Sequence, residues 1–277
     1  MDPRNAAASE DISARFERDG YAAPLPALTR TEAAECRLKL EAVEAATGGP
    51  LAPAYRQKAH LLFTWLAELV RDPRVLDPVE RVLGPDLLAW SSSFFIKEPR
   101  DPAFVSWHQD STYWGLSEPA VVTAWVAFTP SNPRNGCVRV IPGTHKGDQV
   151  EHRETRDAAN ILTRGQEIAV EVDEGQSVEL VLEPGGMSLH HIRLFHNSEP
   201  NRSDGRRIGF AIRYIPTRVR QTLGDLDSAT LVRGVDRYRH FEPERAPAAD
   251  LAPEAIAYHA EVKRRQNEIL FRGAAGK

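Results

Sequence analysis

The sequence of 277 residues contains little cysteine, with only Cys36 and Cys137. Two thiols are too few for a disulfide framework or a thiolate zinc site in a chain of this length. The chain also lacks an apolar run of the roughly 18 residues that a membrane-spanning helix requires. Its first ten residues do not have the apolar segment of a secretory signal. We therefore expect a cytoplasmic protein with no membrane partner.

Charge of one sign is not in excess either, because 35 Lys and Arg residues stand against 39 Asp and Glu residues, for a net charge of -4. The two signs are interspersed, so the chain lacks the one-sided basic surface that nucleic-acid binding demands. A composition of 42% hydrophobic and 27% charged residues suits a chain that buries one substantial core. We expect a small-molecule substrate, no nucleic-acid partner, and a monomer or small homo-oligomer.

Helix signals lie at the two ends of the chain. Thr29 and Glu32 form a capping-box pattern that opens a helix, and Gly48 marks its end. Asp72 followed by Pro73 is typical of an N-cap and first helical residue. The patterns predict four helices, over residues 29–48, 57–70, 72–84 and 253–270.

The middle of the chain consists of short β-rich runs separated by turn signals. Eight strands are predicted, over residues 87–96, 104–110, 121–128, 138–141, 168–172, 178–182, 187–195 and 207–215. Asn135-Gly136 and the turn at residues 183–186 indicate hairpins between antiparallel neighbours. The predicted fold is mainly β, a double-sheet barrel or jelly roll. We expect one domain over 1–277, with a helical layer at about 11–85, a jelly-roll core at about 86–216 and a C-terminal extension at about 217–277.

His108 and Asp110 are two residues apart on a predicted strand, which places both side chains on one face. One imidazole and one carboxylate are thereby directed at one point. A second histidine from a distant strand would complete a two-histidine, one-carboxylate triad, which binds Fe(II) and leaves positions open for substrate and oxygen. His196, at the end of a predicted strand, is the best candidate for this third ligand.

Arg207 follows His196 by eleven positions and opens the next predicted strand. Strand alternation puts Arg207 on the same face as Gly209 and Ala211, whereas Arg206 shares its face with bulky apolar residues. The small neighbours would leave room for a ligand beside Arg207. A guanidinium held there could bind a carboxylate through two parallel hydrogen bonds.

Several motifs together resemble the phytanoyl-CoA dioxygenase-like family of Fe(II)- and 2-oxoglutarate-dependent oxygenases, and the resemblance extends over most of the chain. The motifs lie at residues 16–21 (FERDGY), 107–114 (WHQDSTYW), 123–128 (TAWVAF), 135–146 (NGCVRVIPGTHK) and 196–201 (HNSEPN). The family's fold is a double-stranded β-helix with supporting N-terminal helices. This agrees with the order of elements predicted above.

The resemblance implies that His108, Asp110 and His196 bind the iron and that Arg207 binds the distal carboxylate of 2-oxoglutarate. It implies a reaction with O2 that releases succinate and CO2 and most often hydroxylates an unactivated C–H bond. Desaturation, epoxidation and ring closure are further outcomes of the same chemistry. Relatives that halogenate have a small residue in place of the carboxylate ligand, so Asp110 indicates that this chain is not a halogenase.

Further site residues follow from the same resemblance. Those expected to border the cosubstrate are Trp125, Ser198, Gln109, Lys58 and Ser93. Apolar shielding of the reaction centre would come from Phe95, Tyr113 and Trp114, which are the candidates for the substrate wall.

Two alternatives use the same residues. A zinc hydrolase can bind its metal through two histidines, one carboxylate and a water, but that assignment leaves Arg207 unexplained. A jelly roll can also be a noncatalytic binding module, because a fold does not fix a function. An intact metal triad counts against that assignment.

Overall fold

The computed structural model describes residues 11–154, 157, 159–162, 166–224 and 227–271. The α-helices are α1 (Ile12–Asp19), α2 (Arg30–Thr47), α3 (Thr64–Leu69), α4 (Pro73–Leu83) and α5 (Pro253–Leu270). The strands are β1 (Tyr21–Pro26), β2 (Leu87–Lys97), β3 (Val105–His108), β4 (Val122–Ala127), β5 (Val138–Val140), β6 (His152–Glu154), β7 (Gln166–Ile168), β8 (Val178–Glu179), β9 (Gly186–His191), β10 (His196–Ser198), β11 (Arg207–Pro216), β12 (Ser228–Arg233) and β13 (Glu242–Pro243).

Most strands form two sheets, which together make a double-stranded β-helix, or jelly roll. The larger sheet has seven strands in the order β1-β9-β4-β11-β2-β12-β13, and the smaller has four in the order β3-β10-β5-β8. All pairs within them are antiparallel except β12 with β13. Because β11 lies between β4 and β2 at the centre of the larger sheet, its ten residues are all buried.

The two faces of β11 have different roles. The side chains of Ile208, Phe210, Ile212 and Tyr214 pack into the largest hydrophobic cluster, with residues of the helical layer such as Phe63. The opposite face carries Arg207, Gly209, Ala211 and Arg213 toward the inside of the barrel. Strand alternation therefore separates an apolar outer face from an inner face that has charge and space.

Three predicted helices and the jelly-roll core agree with the structure. The capping box at Thr29 is present, with its hydroxyl accepting from the Glu32 amide and the Glu32 carboxylate accepting from Thr29. Asp72 caps α4, and α5 begins and ends at the predicted residues. None of the helices in the described part of the chain combines the length and the apolar character needed to cross a membrane.

The predicted helix over residues 57–70 is wrong in its first half. Lys58 has a left-handed backbone (φ 48°), and its amide donates to the Ser92 carbonyl of β2 at 2.6 Å. Only a short 3-10 turn, Ala59–Leu61, and then α3 follow. The bonds to β2 replace the first turn of the helix, so tertiary contacts override local propensity.

The two predicted hairpins are also wrong. The strands on either side of Gly136, β4 and β5, lie in different sheets, as do β8 and β9 on either side of Gly185. The chain crosses from one sheet to the other at these turns, as a jelly roll requires. The predicted strand over 187–195 is divided for the same reason, since β9 ends at His191 and β10 begins at His196.

Sequence patterns missed one helix, α1, and the strands β1, β6, β12 and β13. Strand β1 pairs with β9, and β12 pairs with β2, so both ends of the chain add strands to the larger sheet. The predicted strand over 168–172 overlaps β7 only at Ile168. The polar residues of β12 and the proline-containing β1 do not give the alternating pattern from which strands are predicted.

Candidate active site

The smaller sheet brings the three expected metal ligands together. His196 of β10 pairs in register with His108 of β3, and a backbone hydrogen bond of 3.0 Å from Asp110 to Ile192 turns the chain back toward them. Asp110 begins a 3-10 turn instead of continuing the strand. Nε2 of His108 lies 3.3 Å and Nε2 of His196 lies 4.0 Å from Oδ1 of Asp110. The ligand atoms of all three residues lie within 4.8 Å of one another, so one ion could contact all three.

Backbone carbonyls fix the orientation of both imidazoles. Nδ1 of His108 lies 2.9 Å from the Ser106 oxygen, and Nδ1 of His196 lies 2.9 Å from the Leu194 oxygen. An Nδ1–H that donates to a carbonyl leaves the lone pair of Nε2 free, and this is the usual arrangement of metal-binding histidines. The donor set therefore fits a divalent cation such as Fe(II).

The charge state of the site also suits a cation. Burial raises the pKa of Asp110, but the imidazoles of His108 and His196 and the Arg213 guanidinium outweigh this and hold the pKa below its ordinary value. Burial lowers the pKa of His196 well below its usual value. A carboxylate and neutral imidazoles are the forms that bind metals.

Arg207 lies on the inner face of β11 with only 1% of its surface exposed. Its Nη1 donates to the Gly136 carbonyl and, at 3.0 Å, to Oγ of Ser198. Its guanidinium carbon lies 5.4 Å from the ring centre of Trp125. Nε has no hydrogen-bond partner among the described residues. Burial lowers the pKa of Arg207 to about 10, so the group remains a cation near neutral pH.

The space beside Arg207 is smaller than the small side chains at Gly209 and Ala211 led us to expect. A side chain at Gly209 would overlap the indole of Trp125, which extends across from β4. The glycine thus makes room for Trp125 and not for a ligand directly, and the indole in turn contacts the guanidinium.

A cavity of about 290 Å³ joins these groups. Its walls include the three expected metal ligands, Arg207, and the predicted residues Trp125, Ser198, Ser93, Phe95 and Trp114. Among the described lining residues, Asp110 is the sole carboxylate, and Arg56, Arg207 and Arg213 are the cations. The cavity therefore combines a cation-binding cluster with positive side chains suited to anionic ligands.

Comparison with known proteins agrees with this arrangement. The phytanoyl-CoA dioxygenase (PhyH) family model matches residues 16–209. The chain belongs to the phytanoyl-CoA dioxygenase family. The match contains the motifs on which the resemblance rested, together with the candidate metal ligands and Arg207, and it confirms the resemblance.

Solved structures similar to this member of the phytanoyl-CoA dioxygenase family have the same fold. The non-heme monooxygenase ThoJ, in its apo form, is 38% identical with a TM-score of 0.83, and the match covers 95% of this chain and 98% of that one. CytC3, solved with Fe(II) and alpha-ketoglutarate, is 28% identical with a TM-score of 0.60 over 84% of this chain and 90% of that one. These neighbours confirm the jelly roll and the enzyme class that the sequence resembles.

A curated relative is named "Probable alpha-ketoglutarate-dependent hypophosphite dioxygenase", from Stutzerimonas stutzeri. It is 32% identical over 163 residues, which are 56% of this chain and 56% of that protein. The matched segment is about half the length of the curated relatives.

Two residues that the resemblance with the phytanoyl-CoA dioxygenase family placed near the cosubstrate lie elsewhere. Gln109 is buried with its side chain on the loop that precedes β6, where its oxygen accepts from the Val150 amide at 2.9 Å. Lys58 is buried in an ion pair with Glu244. Neither residue contributes to the cavity wall. For Gln109 the reason is strand alternation, which directs its side chain away from those of its neighbours His108 and Asp110. The side chain of Tyr113, a candidate for the substrate wall, lies outside the described residues.

The cavity of this phytanoyl-CoA dioxygenase family member contains two groups that the sequence did not single out. His190 lies with its ring 5.0 Å from that of His196, and burial lowers its pKa to about 4. Arg213 is buried on the inner face of β11, as Arg207 is. Strand alternation could have identified Arg213 from the sequence, because residues 207, 209, 211 and 213 share one face of β11.

Proposed function

We propose that this protein is an Fe(II)- and 2-oxoglutarate-dependent oxygenase that oxidises an unactivated C–H bond of a small-molecule metabolite and releases succinate and CO2. The observation that carries the proposal is one cavity that contains the His108, Asp110 and His196 cluster together with a buried arginine at position 207. A zinc hydrolase would need the cluster but not the arginine. Membership of the phytanoyl-CoA dioxygenase family supports the same choice.

Each side chain of the cluster has a distinct role in this proposal. His108 and His196 would bind the metal through Nε2, and Asp110 through a carboxylate oxygen. The bound iron and cosubstrate supply the oxidising chemistry when O2 enters. Three protein ligands on one side of an ion leave the other positions open for exchangeable ligands. The carbonyls of Ser106 and Leu194 hold the two imidazoles in place, so both Nε2 atoms stay directed toward the Asp110 carboxylate, where they would bind the ion.

Arg207 would bind the distal carboxylate of 2-oxoglutarate. Its Nη1 is already engaged by Gly136 and Ser198, which leaves the edge formed by Nε and Nη2 for two parallel bonds to a carboxylate. Trp125 covers the guanidinium and excludes water from it. In this buried setting a charge-assisted pair is stronger than it would be at the surface.

Phe95 and Trp114 would form part of the wall that surrounds the substrate, since both line the cavity on the side of Arg213. An apolar wall keeps water from the reacting carbon. Because Asp110 occupies the third ligand position, we propose hydroxylation or a related oxidation and not halogenation. The proposal also includes the expected cytoplasmic location, a single domain over 1–277, and a monomer or small homo-oligomer.

The experiment compares Asp110→Ala with Asp148→Ala in succinate formation from 2-oxoglutarate without primary substrate. Asp148 is exposed and lies outside the cavity, so Asp148→Ala makes the same chemical change at a position that does not contact the site. We expect wild type and Asp148→Ala to form succinate at similar rates. Loss of an outer partner of a metal ligand already costs about 10- to 100-fold, and we expect Asp110→Ala to lose more than this. Undiminished succinate formation in Asp110→Ala would refute the proposed function.

A further inference from the structure

The cavity has a second buried arginine that the proposed reaction does not use. Arg213 is 8% exposed and lies on the same face of β11 as Arg207, six residues further along. Their Cα atoms lie about 20 Å apart along the extended strand. The Arg207 guanidinium bonds to Gly136 and Ser198, whereas that of Arg213 bonds to Ser93. The two guanidinium groups are therefore separate charges at different places along the cavity.

The surroundings of Arg213 hold its guanidinium but leave one edge open. Nη1 donates to Oγ of Ser93 at 2.8 Å, and this is its sole hydrogen bond within the described part of the chain. Its guanidinium carbon lies 5.6 Å from the ring centres of both Phe95 and Trp114. Nε is buried and has no partner among the described residues. The aromatic contacts and the serine fix the group, and the edge formed by Nε and Nη2 remains available.

The same edge binds a carboxylate elsewhere in this protein. At the start of α4, Nε of Arg74 donates to Asp72 at 3.0 Å and Nη2 donates to its second oxygen at 2.7 Å. Such a pair of parallel donors matches the two oxygens of a carboxylate. Arg213 offers these donors inside a cavity, where no side chain among the described residues occupies them.

Charge balance in the loaded site indicates what Arg213 lacks. A divalent iron, the Asp110 carboxylate, the two carboxylates of 2-oxoglutarate and the Arg207 guanidinium together have no net charge. Asp110, the carboxylate whose charge acts on Arg213, would then be a metal ligand, so Arg213 has no counter-ion of its own, and a buried charge is stable only when it is paired. Arg56, the remaining cation of the described wall, is half-buried and donates to the Leu51 carbonyl, so water reaches it. Arg213 is therefore the buried cation of the described cavity wall to which an anionic group of a ligand would bind most favourably.

We propose that Arg213 binds a carboxylate group of the primary substrate, so that the substrates of this enzyme are small carboxylic acids. The proposal rests on the proposed function, because it assigns the substrate class of the same site. Phe95 and Trp114, which hold the guanidinium, would also contact the carbon skeleton next to the carboxylate. Arg213 is thus a substrate-binding residue that determines specificity, while Arg207 serves the cosubstrate.

The test measures binding, not turnover. The probes are straight-chain and aryl carboxylic acids of six to twelve carbons, each paired with its primary amide, which has nearly the same shape but no charge. Dissociation constants are measured by tryptophan fluorescence, under anaerobic conditions, for protein loaded with Fe(II) and 2-oxoglutarate. The variants are Arg213→Gln, Arg213→Lys and the matched control Arg218→Gln, which changes an exposed arginine just beyond β11.

For at least one pair, we expect wild type and Arg218→Gln to bind the acid at least about tenfold more tightly than the amide. Arg213→Gln should lose this preference with little change in amide affinity, and Arg213→Lys should recover part of it because it keeps the charge. The visible band of the Fe(II)–2-oxoglutarate complex should be unchanged in all three variants. If Arg213→Gln does not fold, Arg213→Lys decides the question through a reduced preference.

Three results would overturn the inference: no acid binds more tightly than its amide, the preference survives in Arg213→Gln, or that variant loses the Fe(II)–2-oxoglutarate band. The third result would assign Arg213 to the cosubstrate. Failure of the proposed function is a different result, since wild type itself would then form no band. In that event the acid preference is measured on the metal-free protein. Comparison of wild type with Arg213→Gln there still shows whether the preference depends on Arg213.

Discussion

Nζ of Lys97 lies 2.7 Å from Oγ of Ser198, and the same hydroxyl accepts from Nη1 of Arg207 at 3.0 Å. The hydroxyl donates its own proton to the Gly136 carbonyl at 2.7 Å. Lys97 is fully buried, and burial together with the charge of Arg207 lowers its pKa to about 6. Lys97 therefore supports, through its hydrogen bond, the serine that orients Arg207.

This relationship predicts a pH dependence of stability. An unfolded lysine has a pKa near 10.5, so between about pH 6 and pH 10.5 the unfolded chain binds a proton at Lys97 that the folded chain does not. Stability from this residue then rises with pH across that window, by at most about 1.4 kcal/mol per pH unit. Lys97→Met removes the titrating group. Urea unfolding at pH 7, 8 and 9.5 should show wild type gaining stability relative to the variant, and parallel curves would contradict the lowered pKa.

Gly209 should not tolerate a methyl group, because a Cβ there would overlap the Trp125 indole. Gly209→Ala is expected to cost about 1–3 kcal/mol of stability, as overpacking in a buried site does. Displacement of the indole should also weaken 2-oxoglutarate binding through Arg207. The control is Gly205→Ala, since a Cβ at Gly205 meets nothing within 4 Å. Thermal unfolding and 2-oxoglutarate titration check both effects, and equal behaviour of the two variants would contradict the packing described.

Glu244 should be essential to stability but not to cosubstrate binding. Its buried carboxylate pairs with Lys58 and His60, and it accepts from hydroxyls of Ser228 and Thr230 at 2.9 and 2.8 Å. Glu244→Gln leaves Lys58 without its counter-ion, which should cost about 3–5 kcal/mol. Glu242→Gln, which breaks an exposed pair, should cost about 0–1 kcal/mol.

The same cluster tests the position of Lys58. Chemical denaturation measures the stability of the two glutamate variants and of Lys58→Met, and 2-oxoglutarate titration is then made at a temperature where each is folded. We expect Lys58→Met to lose stability and to keep its affinity for 2-oxoglutarate. A large loss of affinity in folded Lys58→Met would return this lysine to the cosubstrate site, as the family resemblance implied.

The sequence predicted the site where local rules govern it. Strand alternation distinguished Arg207 from Arg206, and the structure places Arg206 outside the barrel in ion pairs with Glu44 and Glu98. The position of His196 at a strand end and the family motifs assigned this distant residue to the same site as His108 and Asp110. These inferences needed strand periodicity, the spacing of chemical groups and the family resemblance.

Other features depended on contacts between distant parts of the chain. The partner of Lys58 is 186 residues away, so no local pattern could place that lysine. The hairpin signals at Gly136 and Gly185 were read as pairing of neighbours, whereas the strands concerned pair across the jelly roll. Arg213 could have been found by extending the alternation of β11, but its Ser93 and aromatic contacts come from other elements.

The central claim is that the three ligands bind iron while Arg207 binds 2-oxoglutarate. The most direct test is an anaerobic visible absorption spectrum with Fe(II), before and after addition of 2-oxoglutarate, for wild type, Arg207→Gln and Arg206→Gln. Hydrogen bonds to charged groups contribute about 1.5–3 kcal/mol each, so loss of the Arg207 fork should weaken cosubstrate binding by at least about tenfold. We predict a broad band that needs both additions, that persists in Arg206→Gln, and that requires much higher 2-oxoglutarate in Arg207→Gln. Absence of the band in wild type, or an unchanged 2-oxoglutarate dependence in Arg207→Gln, would contradict the assignment.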